Sequence, residues 1–98
     1  MEKVYEEALA IELVKAGLPF ERQKIVVLIY DGVPVGEHRL DLLVAARVVV
    51  ELKACKAIED IHLETARSYL KATSLPLALV LNFAKSALEI RCVVLTAA

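Results

Sequence analysis

Two neighbouring segments, residues 39–44 (RLDLLV) and 48–54 (VVVELKA), constrain the fold more than any other part of this chain. Both are apolar enough to be strands covered on both faces, and consecutive valines favour extended backbone. Yet Asp41, Glu51 and Lys53 interrupt them. A charge buried without compensation is costly, so these strands need both covering layers and a reason for their charges.

The flanking sequence supplies the layers. Residues 2–16 read as a helix, with Tyr5, Leu9, Leu13 and Ala16 at helical spacing and Ala8 and Ile11 widening the stripe. Gly17 stops it and Pro19 keeps it from restarting. Residues 24–30 read as a strand ending at Asp31-Gly32, a strong turn signal. Residues 33–36 carry the chain round to strands at 37–44 and 48–54. The helical period returns over residues 59–73 and breaks at Ser74-Leu75-Pro76. Residues 77–83 form a buried strand, and 88–94 a half-exposed, peripheral one. The order α-β-β-β-α-β-β predicts an antiparallel meander followed by a helical crossover to a parallel strand. The fold class is α/β or α+β, a mixed sheet with helices packed on it.

Ninety-eight residues suit a single domain spanning 1–98. Apolar residues make up 58% of the chain, above the roughly 45–50% of ordinary soluble domains. A core this small cannot absorb that surplus, which points to self-association, most simply a homodimer. Twelve basic against thirteen acidic residues leave a net charge of −1, unlike a protein held on nucleic acid mainly by neutralising phosphates. Such a balance still allows an enzyme that reaches phosphates through a metal ion. Cys55 and Cys92 have no zinc-site spacing and suit a reducing cytoplasm. The longest uncharged stretch, residues 72–84, is 13 long, too short to span a bilayer.

Side chains alternate along a strand, so Glu51 and Lys53 share a face. Asp41 stands opposite Glu51 only if the hairpin is centred on Ala46, with Ala45-Ala46-Arg47 as its loop. An even-numbered loop would place it with Leu52 instead. In the first register two carboxylates and an ammonium converge. Mg²⁺ is the natural compensator, since it takes oxygen ligands and keeps waters and phosphate oxygens. Lysine competes poorly as a ligand but can orient or deprotonate a water. The layout suits metal-dependent phosphodiester hydrolysis. Against this, Glu-x-Lys on a strand is commonly an exposed ion pair worth about 0–1 kcal/mol.

Further residues extend the pattern: Glu2-x-x-Tyr5-Glu6, Glu21-x-Gln23, Val35-Gly36-x-x-Arg39-x-Asp41-Leu42-Leu43-Val44, Val50-Glu51-Leu52-Lys53-Ala54, His62, Tyr69-Leu70 and Leu81-Asn82-Phe83. In order and spacing they resemble the small GxxExxY proteins, a branch of the PD-(D/E)XK nuclease-like superfamily, over nearly the whole chain. The resemblance implies a restriction-endonuclease-like αβββαβ core and a site using Mg²⁺ or Mn²⁺. Asp41 and Glu51 would be metal ligands, joined by the Leu52 carbonyl, with Lys53 the catalytic lysine. Glu6 or Glu2 would supply an accessory carboxylate, and Gln23 a contact to substrate or water. The substrate would be nucleic acid, DNA before RNA. Thr65 departs from the Gln usual four residues before the tyrosine of the second helix, and Ala78 and Ala84 replace flanking glycines.

The competing expectation is a nuclease-like fold with weak or absent catalysis, acting as a homo-oligomeric binding or assembly module. Other polar residues have plainer readings. His62 is a packed helix residue, His38 a surface residue beside a turn, and Tyr5 and Tyr69 core residues. Asn82, ending a buried strand, needs hydrogen-bond partners. Lys53, Lys56, Arg67 and Lys71 make a modest basic strip.

Overall fold

The computed structural model describes residues 2–84 and 86–95. The chain runs α1 (Glu2–Lys15), β1 (Phe20–Tyr30), β2 (Val33–Val44), β3 (Val48–Lys53), α2 (Asp60–Thr73), β4 (Leu77–Asn82) and β5 (Glu89–Val94). The strands form one sheet in the order β1-β2-β3-β4-β5. Only β3 and β4 are parallel, and α2 makes the crossover between them. The expected element order and mixed α+β sheet are both present.

The β1–β2 hairpin is longer than its sequence signals suggested. Asp31 (φ 52°) and Gly32 (φ 75°) both lie in the left-handed region and close a two-residue turn directly between Tyr30 and Val33. Residues 33–36, expected as a connection, are therefore paired strand, and β1 begins at Phe20 rather than near 24. Between β2 and β3, Ala45 and Ala46 take positive φ, and Val44 pairs Val48. The hairpin is centred on Ala46, as the first register requires, but the pairing ends at Leu42↔Val50 and does not extend to Asp41 and Glu51.

Two apolar layers sandwich the sheet. On one face Leu9 and Leu13 of α1 pack against Leu42, Val50, Leu52 and Leu81. On the other, Ala66, Tyr69 and Leu70 of α2 pack against Leu40, Leu43, Val49, Ala78 and Val80. Ile11, expected on the buried stripe of α1, is exposed, whereas Glu6 is buried. Among the described residues, no helix is long and apolar enough to cross a membrane.

Candidate active site

The site begins with a slip in strand alternation. Leu40 and Leu42 should share a face, yet Leu40 packs under α2 and Leu42 under α1. On β1, Gln23 lies between the pairs Arg22↔Leu42 and Lys24↔Leu40 and has φ 52°, a conformation costly for a residue with a Cβ. Phe20 accordingly faces α1 whereas Val26 faces α2. Both strands change faces together at Gln23 and Asp41, and the sheet opens there.

The β2–β3 ladder runs from Val44↔Val48 to Leu42↔Val50 and goes no further. Asp41 Oδ2 instead accepts the Leu52 N–H at 2.8 Å, so the carboxylate is inserted where a backbone carbonyl would otherwise sit. Its neighbour is Glu51, a buried carboxyl. Burial, reinforced by the charge and contact of Asp41, pushes Glu51 up to about 8. Its Oε1 is buried and has no hydrogen-bond partner. Lys53 lies two residues on along the same face, half-buried, and lowers the cost of the Glu51 charge only slightly.

Two openings reach these groups. A cleft of about 360 Å³ on the α1 side is lined by Glu2, Lys3, Glu6, Gln23, Arg39, Asp41 and Leu52. A recess of about 30 Å³ on the α2 side is lined by Glu51, Lys53, His62, Thr65, Ala66 and Tyr69. The structure thus gathers Asp41, Glu51, Leu52 and Lys53 at one break in the sheet, with Asp41 open to the cleft and Glu51 and Lys53 to the recess. Glu6 and Gln23 reach the cleft wall. There Arg22 donates to Glu6 at 2.7 and 3.1 Å and Gln23 Nε2 donates to Glu6 Oε1. Arg22 also bridges to Glu7, whose carboxyl it holds below its ordinary value.

Several other residues do not sit as their sequence context suggested. His38 is not a surface residue. Its ring stacks on Tyr69 at 3.6 Å, its Nε2 is buried without a partner, and burial lowers its pKa against the opposing pull of Asp41. Only the long hairpin places it there, since His38 pairs with Val26 on the α2 face. His62 caps α2, its Nδ1 accepting the Glu59 N–H at 2.9 Å, and its ring still edges the recess. Thr65 Oγ1 donates back to the Ile61 carbonyl at 2.7 Å. Burial, with help from Glu51 and Asp41, raises Tyr69 to about 12. Tyr5 stacks on Phe83 at 4.5 Å.

The basic strip is not assembled. Arg67 pairs with Glu64 at 2.6 Å, and Lys71 lines a separate hollow beside β1. The cations that do border the cleft, Lys3 and Arg39, were given no role from sequence. Arg39 carried a signal all the same, standing two residues before Asp41. Asn82 is fully buried and structural. It bonds the N–H and C=O of Cys55 at 3.1 and 2.8 Å and Glu89 at 3.0 Å, pinning the loop that follows Lys53.

The donor set fits a hard divalent cation. Two carboxylates in contact repel, one buried oxygen lacks a partner, and oxygen ligands with open sides suit Mg²⁺ or Mn²⁺. Among the described residues, no three His, Cys, Asp or Glu side chains cluster at ligand spacing. Such a cation would therefore complete its shell with backbone carbonyl, water or phosphate.

No curated protein matches the chain. A solved structure titled "Crystal structure of SSO0001" superposes with a TM-score of 0.71 at 15% sequence identity, covering 98% of this chain and 50% of that one. The likeness is one of fold, and this chain spans about half the length of that relative. The profile of the PD-(D/E)XK nuclease superfamily matches residues 1–93, and the chain belongs to that superfamily.

Proposed function

We propose that the chain is a divalent-metal-dependent nuclease of the GxxExxY type, hydrolysing phosphodiester bonds in DNA rather than RNA. The observation that carries this reading is the contact between half-buried Asp41 and buried Glu51. The unpartnered Glu51 oxygen belongs to the recess that Lys53 also lines, and a cleft with Lys3 and Arg39 opens onto Asp41. Asp41, Glu51 and the Leu52 carbonyl would hold Mg²⁺ or Mn²⁺. When bound, that cation acidifies a water and offsets charge developing on the phosphate.

Asp41 is held in place by the Leu52 N–H, so it needs no reorganisation to act as an oxygen ligand. Glu51 holds a proton at neutral pH and gives it up as the site is charged. Lys53 orients the attacking water and steadies the negative phosphate through its ammonium. Arg39 and Lys3 hold flanking phosphates, and Gln23 and Glu6 fix the cleft wall. A homodimer would present two such centres on one particle.

A second reading, a nuclease-like binding or assembly module, is favoured by one observation. Asp41 faces the wide cleft while Glu51 and Lys53 face the narrow recess. Incubation of labelled duplex and single-stranded DNA with Mg²⁺ or Mn²⁺ separates the two. Cleavage by the wild type and its loss in Lys53→Ala supports the enzyme. Binding without cleavage, unchanged in Lys53→Ala, supports the module.

A further inference from the structure

We propose that Glu6 and Arg22 form a clamp that positions Asp41, Glu6 acting through the strained Gln23 rather than as a ligand of the metal. Its catalytic consequence rests on the cation site proposed above, but the clamp itself rests on geometry alone. Gln23 has φ 52°, and a residue with a Cβ keeps such a backbone only where its surroundings fix it. The ladder supplies no fix there. Pairing runs from Arg22↔Leu42 to Lys24↔Leu40 and leaves Gln23 and Asp41 between.

Helix α1 supplies it instead. Gln23 Nε2 donates to Oε1 of Glu6, a carboxylate only 6% exposed. A charge that deep persists only when it is paired. Arg22 pairs it, Nε and Nη2 both donating to Glu6 Oε2 at 3.1 and 2.7 Å. The same guanidinium donates to Glu7, so the helix grips two consecutive residues of β1 where that strand changes face.

The grip reaches Asp41 through the sheet. A slip in one strand of an antiparallel pair holds only while its partner slips too. With Gln23 turned, Asp41 lies out of the ladder, free to accept the Leu52 N–H at 2.8 Å. Were Gln23 to relax to ordinary extended backbone, Leu40 and Leu42 would return to one face and Asp41 would leave that N–H. Glu6 also lines the cleft beside Asp41. Yet three N–H groups already fill most of its roughly four acceptor sites, and the guanidinium beside it repels a divalent cation.

Amide exchange in metal-free protein, followed by NMR with chelator present, tests the clamp without reference to nuclease activity. Glu6→Gln and Arg22→Met should each speed exchange at Leu52 by at least about tenfold, leaving Leu70 and Val80 at wild-type rates. Glycine takes positive φ without strain, so adding Gln23→Gly to Glu6→Gln should restore Leu52 protection. Leu52 exchange unchanged in both variants overturns the proposal. So does a loss shared equally by Leu70 and Val80, or a failure of Gln23→Gly to rescue. Mn²⁺ titration then separates positioning from ligation. Arg22→Met should bind at least about tenfold more weakly than wild type if Asp41 has lost its place. Binding as tight as wild type, or tighter, would mean that a freed Glu6 is a ligand, and overturns the proposal. A wild type that binds no Mn²⁺ sinks the cation site instead, and the exchange rates still decide the clamp.

Discussion

Replacing Glu51 with Gln should stabilise the metal-free protein, and increasingly so as the pH rises. The carboxyl titrates near 4.5 when exposed and near 8 in the folded chain, because burial and Asp41 both disfavour its charge. A raised carboxyl pKa means the folded state binds a proton that the unfolded state has released. Stability is therefore undiminished below about 4.5, falls as pH climbs and is lost through about 8. At 1.36 kcal/mol per pKa unit the full effect is about 5 kcal/mol. Water entering the opened site would reduce it, so about 2–4 kcal/mol is expected in practice. Glutamine has nearly the same shape and no charge to bury. Urea unfolding with chelator present should give near-equal stabilities for wild type and Glu51→Gln at pH about 4, and a gap of that size by pH about 9. Adding Mg²⁺ should close the gap by stabilising the wild type alone. A difference that stays constant with pH, or a variant less stable at alkaline pH, would refute the reasoning.

Lys53→Ala should leave the fold intact and reduce cleavage by about 10²–10⁴-fold in a single-turnover assay. Arg39→Ala should weaken DNA binding at all sequences and lower the salt slope of binding by about 1, read by fluorescence anisotropy across a salt series. Asn82→Ala removes a fully buried amide that bonds Cys55 through both its backbone groups. It should cost about 2–4 kcal/mol by chemical denaturation and speed amide exchange in residues 54–58.

Local signals in the sequence account for much of the fold. Asp31-Gly32 and Gly17 mark the turn and the helix end where they occur, and the uncharged valines and leucines mark β3 and β4. Residues 33–36 were obscured because Pro34 and Gly36 read as punctuation, whereas the tight turn at 31–32 had already committed them to pairing. The centre was legible as residue types, and its register as one of two options that loop length decides. Its shape was not, because the simultaneous slip at Gln23 and Asp41 depends on two strands at once. His38 and Arg39 were missed for a related reason: the long hairpin, a non-local pairing, carries them to opposite sides of the break. The burial of Glu6 likewise depends on Arg22 arriving from β1.

The proposed nuclease chemistry stands or falls with a divalent-cation site at Asp41 and Glu51. Calorimetric titration with Mg²⁺ and with Mn²⁺, wild type beside Asp41→Asn, addresses it most directly. Binding near one or two ions per chain with proton release is expected, since burial and Asp41 hold Glu51 up to about 8 before metal enters. Asp41→Asn should abolish it. Binding of equal strength in Asp41→Asn, or none in the wild type at millimolar metal even with a non-cleavable DNA present, would contradict it.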